Sequence, residues 1–102
     1  MDKRIESKVV DTAAAITNTI VNKDASQVHW LTVSVEAQGT PGLIQIYDGF
    51  DAAGKLVFQL EPSYARQHLF IPPITCNEAV FVYADAAIAS YTIGYRPSSW
   101  QE

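Results

Sequence analysis

Residues 30–37, WLTVSVEA, alternate Leu31, Val33, Val35 and Ala37 with Thr32, Ser34 and Glu36. A period of two sends successive side chains to opposite sides of an extended backbone, so this stretch predicts a strand with one dry and one wet face. A single strand cannot bury its dry face, and the flanking sequence supplies partners of the same kind. Residues 43–48 (LIQIYD) alternate Ile44 and Ile46 with Gln45 and Tyr47, and residues 55–61 (KLVFQLE) alternate Leu56, Phe58 and Leu60 with Lys55, Gln59 and Glu61. Between them Asp48-Gly49-Phe50-Asp51-Ala52-Ala53-Gly54 carries the glycines and aspartates of a tight connection, which predicts a hairpin.

The series continues through 67–71 (QHLFI), 79–85 (AVFVYAD) and 88–96 (IASYTIGYR), with 14–22 and 25–29 adding one or two strands upstream. Pro72-Pro73 is expected to end the 67–71 strand, because proline has no N–H to give to a ladder. Val, Ile and Thr supply 25 residues and the aromatic residues 11 more, a composition suited to pleated sheet. Seven to eight short strands separated by turns predict an all-β sandwich or small barrel. Residues 2–15 place Ile5, Val9 and Ala13 on one helical face but carry no convincing cap pair, so residues 1–12 read as an N-terminal arm. The domain is expected over 13–96 and a C-terminal tail over 97–102.

With 102 residues, 48% hydrophobic and 18% charged, the chain is expected to fold as one domain with a packed core. Beyond residue 8 it holds four basic residues against nine acidic ones, too few bases for the positive stripe that a phosphate backbone needs, so direct nucleic-acid binding is not expected. The apolar runs are too short to cross a bilayer, and no membrane partner is expected. Cys76 stands alone, which excludes an internal disulfide and any cysteine-built metal site.

Catalytic signals are weak. Asp48, Asp51 and Asp85 lie by turns, and the spacing D-x-x-D-x-x-G does not match a calcium loop, so they read as turn formers. His29 and His68 have no neighbour at ligand spacing. No nucleophile elbow or phosphate-binding loop occurs, and no catalytic residue, metal or cofactor is assigned. Tyr47, Tyr83, Tyr91 and Tyr95 fall on predicted strands, where outward positions would form a carbohydrate-binding strip or a protein interface and inward ones would pack in the core. Trp100 is a large apolar ring near the end of the sequence, and burial on its own sheet or on a neighbouring subunit would recover its hydration cost.

The stretches PGLIQIYDGFDAAGKLVFQL (41–60), PPITCNEAVFVYAD (72–85) and ASYTIGYR (89–96) resemble small virion proteins of tailed bacteriophages. The likeness rests on turn and strand signatures over residues 28–96. Asn77-Glu78-Ala79 departs from the Gly-Leu pair common there, and the Trp100 tail has no counterpart. The resemblance implies a jelly-roll-like antiparallel β-sandwich. It further implies a decoration (cement) protein, without enzymatic activity, on the outer capsid surface, made in the host cytoplasm and bridging subunits of the major capsid protein as a homo-oligomer. A tail or baseplate component and a carbohydrate-binding module are the alternatives. On the decoration reading the terminal segments make the contacts, with Lys3, Arg4, Ile5, Val9 and Trp100 as the interface residues.

Overall fold

The computed structural model describes the backbone of residues 6–11 and all of residues 18–97. These form β1 (Glu6–Asp11), β2 (Asn18–Asn22), β3 (Ser26–Val35), β4 (Ile44–Asp48), β5 (Lys55–Leu60), β6 (Arg66–Cys76), β7 (Val80–Ala84) and β8 (Ile88–Pro97), with no helix among the described residues. Sheet I has the order β1-β8-β3-β6 and sheet II the order β2-β7-β4-β5, and every pairing is antiparallel.

The order follows one rule. First strand pairs with last, second with seventh, third with sixth and fourth with fifth, as in one long hairpin whose tip is the β4–β5 turn. Rolling that hairpin over itself brings β8 beside β3 and β7 beside β4, which closes the two sheets. This is jelly-roll topology. The inward rows meet between the sheets: Val28, Leu31 and Val33 of β3 and Ile93 of β8 face Ile44 and Ile46 of β4 and Val80 and Val82 of β7, all essentially without solvent exposure. Each such aliphatic side chain contributes about 1.5–3 kcal/mol on burial, so this slab is the main source of cohesion.

Three expectations are corrected. Residues 6–11, read from the sequence as part of an N-terminal arm over 1–12, are an edge strand of sheet I, with Glu6 opposite Tyr95 and Asp11 opposite Ser90. The backbone of β8 supplies the pairing, a long-range partner that a short segment without a cap or an alternating pattern does not advertise.

The second concerns Pro72-Pro73, which do not end their strand: β6 runs through them to Cys76, with a cis bond between Ile71 and Pro72. Two features make room for them. β6 is the outermost strand of sheet I, and its register jumps from Leu69 opposite Trp30 to Ile74 opposite Val28. Residues 70–73 therefore pass His29 in an irregular segment where no ladder N–H is required.

The third concerns Leu56, which is 45% exposed instead of inward. The ladder shifts between Phe58 opposite Ile46 and Leu56 opposite Tyr47, so Val57 is the extra residue and packs against the core, while Leu56 turns out.

Candidate interaction surfaces

At the β4–β5 end, an open groove of about 520 Å³ runs between the hairpin loop and the β6–β7 turn, with Asp48, Phe50, Asp51, Lys55 and Glu78 among its walls. Its central carboxylate is already engaged. Asp48 Oδ2 accepts the Asn77 N–H at 2.9 Å and Oδ1 accepts the Glu78 N–H at 2.8 Å. Partial desolvation pushes the Asp48 carboxyl up, but these bonds, a further one from the Ala79 N–H and the charge of Lys55 outweigh it and hold the pKa below its ordinary value. Asp48 therefore ties the hairpin to the neighbouring turn. Asp51 accepts the Ala53 N–H at 2.9 Å and Asp85 accepts the Ala87 N–H at 3.0 Å, the short Asx turns expected of them.

The tyrosines separate by sheet face. Tyr91 is buried, which pushes its phenol up to about 12, and Tyr95 packs against the core. Tyr47 and Tyr83 alternate with core residues and lie on the outer face of sheet II. Burial also pushes the Cys76 thiol up to about 12, so it is a packing residue in the fold. His68 stacks in a ring cluster with Phe58 and Phe70, its centroid 5.0 Å from each.

His29 occupies the irregularity of sheet I. It has no opposite residue on β8, since the pairing passes from Val28–Tyr95 to Trp30–Gly94, while four residues of β6 go by on its other side. Its Nε2 is sealed from solvent without a hydrogen-bond partner, as is Arg96 Nε, and Arg96 Nη2 donates to Gln27 Oε1 at 3.1 Å. Burial and then the Arg96 charge lower the His29 pKa. Among the described residues no three His, Cys, Asp or Glu side chains gather in a metal-binding group.

Beside His29, Trp30 lies across the backbone of Gly94, and a Cβ at Gly94 would overlap the indole. The next residue across on β6 is Leu69, 59% exposed, and Ile71 in the irregular segment is 87% exposed. Leu69 and Ile71 thus form an apolar rim on the outermost strand of sheet I, with Trp30 on the next strand in. The sequence reading did not single out these three. Leu69 and Ile71 both carried a signal as outward members, with Gln67, of an alternating QHLFI strand; the register jump, which had none, places Ile71 in the irregular segment.

Of the interface residues expected from the resemblance, Lys3, Arg4, Ile5 and Trp100 lie outside the described residues, and Val9 sits on β1 opposite Thr92. No protein-family model matches the chain, and no curated protein matches its sequence.

Proposed function

We propose that this protein is a structural component of a tailed-phage particle, a decoration protein that binds the outer capsid surface and works by contact instead of chemistry. The observation that carries the contact reading is the rim of sheet I, where Leu69 and Ile71 stand 59% and 87% exposed on an unpaired edge. Soluble domains blunt long open edges, here with Pro72-Pro73, and large apolar side chains left standing on one mark a surface that another protein covers. The phage setting is supported by the resemblance of residues 28–96. On the same reading the residues named from the resemblance, Lys3, Arg4, Ile5, Val9 and Trp100, are further contacts with the capsid. A jelly-roll slab with a rigid aliphatic core suits the task, because a bridge between capsid subunits resists expansion only if it does not itself deform.

The test is cosedimentation of the purified protein with expanded, undecorated capsids of the phage whose genome encodes it. Binding should saturate at a fixed ratio to the major capsid protein. The Leu69→Ser/Ile71→Ser variant, which removes only exposed side chains, should bind at least about tenfold more weakly, equivalent to 1.4 kcal/mol, at unchanged melting temperature. No binding by the wild type would overturn the decoration reading, and full binding by the variant would overturn the rim as its site.

A further inference from the structure

Sheet II presents its outer face as two parallel rows that cross all four strands. In the first row Ile20 of β2 stands opposite Phe81 of β7, Phe81 opposite Tyr47 of β4, and Tyr47 opposite Leu56 of β5. In the second, two residues along, Asn18 stands opposite Tyr83, Tyr83 opposite Gln45, and Gln45 opposite Gln59. The first row is apolar and holds an aromatic pair, Tyr47 and Phe81, with centroids 6.0 Å apart and planes tilted by 58°. The second is polar, and the two are joined by a hydrogen-bonded chain: Tyr47 Oη donates to Gln45 Oε1 at 2.8 Å, and Gln45 Nε2 donates to Gln59 Oε1 at 2.7 Å.

We infer that this face is a binding site for a neutral glycan. None of the eight side chains carries a charge, so the face offers no electrostatic attraction to phosphate, sulfate or an acidic peptide. It offers instead the half-buried Tyr47 ring flanked by the exposed side chains of Ile20 and Leu56 and, along its margin, fixed amide and phenol groups. A sugar ring has the matching pair of surfaces, an apolar C–H face and a periphery of hydroxyls that both donate and accept. Strands are about 4.8 Å apart, so each row extends about 14 Å and each step across the sheet is close to the rise of one sugar in an extended chain. The hydrogen-bonded chain holds Tyr47 and Gln45 in place before any ligand arrives, which lowers the ordering cost of binding. Gln59, which accepts the last bond of this chain, stands exposed at the end of the row.

A protein partner fits this face less well. The most apolar ring, Phe81, is already only 6% exposed, sunk between its neighbours, so it cannot act as an anchor in a partner's pocket. What remains accessible is a half-buried tyrosine flanked by aliphatic side chains and neutral amides.

The test is a glycan array carrying neutral and anionic glycans, followed by calorimetric titration of the best neutral oligosaccharide. Binding to neutral glycans is expected, unchanged between low and high salt. Gln59→Ala, an exposed position, and Tyr47→Ala should each raise Kd at least about tenfold. Tyr47→Phe, which keeps the ring and the fold, should show an intermediate loss. Leu69→Ser/Ile71→Ser should bind glycan like the wild type, which separates this site from the rim of sheet I. Absence of neutral-glycan binding, binding confined to anionic glycans, or full retention by Gln59→Ala and Tyr47→Phe together would overturn the assignment. So would loss of capsid binding by these two variants without any glycan binding, which would make the face a protein interface.

Discussion

On sheet II the ladder carries ordered cross-strand rows: Ile20, Phe81, Tyr47 and Leu56 in one line, with the Phe81 and Tyr47 rings 6.0 Å apart, and Gln45 and Gln59 bonded in the other. On sheet I the outer face is broken at His29, where β3 has one residue too many for β8 and too few for β6; bonded pairs flank the break, Ser34 with Ser90 at 2.9 Å and Arg96 with Gln27 at 3.1 Å, and beside it a single large ring lies on a glycine. Both faces belong to one slab and share one core. They differ in where the cohesion of the outer layer resides. Sheet II carries its neighbouring pairs, each worth a few tenths to about 1 kcal/mol, in unbroken rows, whereas sheet I interrupts its pairs at the Trp30–Gly94 contact and leaves its edge strand apolar.

That difference is most exposed to test at Gly94. Valine is favoured in strands, so propensity alone predicts that Gly94→Val is harmless or stabilising. The Trp30 indole occupies the space its side chain needs, and we expect the variant to lose about 1–3 kcal/mol, as overpacking does, with a red shift of tryptophan emission as the ring is displaced into water. In a Trp30→Ala background the same valine should cost nothing. Equal loss in both backgrounds, read from urea unfolding, would show that the strain comes from the backbone of β8 and that Trp30 is incidental.

The alternating runs made the inward rows readable, because Leu31, Val33, Ile44, Ile46 and Val82 are separated by residues that tolerate water. What they could not convey is register. Whether Leu56 or Val57 points inward depends on one extra residue in β5, and the line from Ile20 to Leu56 exists only once four strands from distant parts of the chain are aligned. The prolines misled for a related reason: they forbid a central ladder and not an edge, and edge position is set by the roll of the whole chain. The candidate surfaces were legible in part. Tyr47 and Tyr83 could be named as outward-facing candidates from alternation, whereas Leu69, Ile71 and Trp30 acquire meaning from topology.

Away from the faces, the hairpin tip offers a smaller and pH-dependent contrast. Asp48 satisfies three backbone N–H groups of the β6–β7 turn, and its folded pKa lies below the ordinary value. The sign follows from linkage: the unfolded chain takes up the proton first as the solution is acidified, so the stabilisation is complete above the unfolded pKa and is lost as pH falls through the lower folded one. Asp48→Ala should cost about 1–2 kcal/mol at pH 7, the low side for charge-assisted bonds because the site is partly solvated, and progressively less as pH falls below the unfolded pKa. Urea midpoints of the two proteins should therefore converge on acidification. A constant gap would mean that the side chain acts by packing and not by its charge.

The smallest effect returns to the break in sheet I. His29 Nε2 is sealed without a partner, and both burial and Arg96 disfavour its protonation, so its folded pKa lies below that of the unfolded chain. Stability conferred by the neutral ring is full above about pH 6.5, the unfolded value, and declines as pH falls toward the lowered folded one. Between pH 7 and 5 the wild type should lose somewhat under about 1 kcal/mol relative to His29→Gln, because the imidazole is only partly buried and solvent relieves much of the penalty. The imidazole proton shifts should titrate with a midpoint below 6.5 in the folded protein. A midpoint at or above that value would mean that water or a carboxylate reaches His29, and the irregular segment of β6 would then be an open passage in the sheet and not a seal over it.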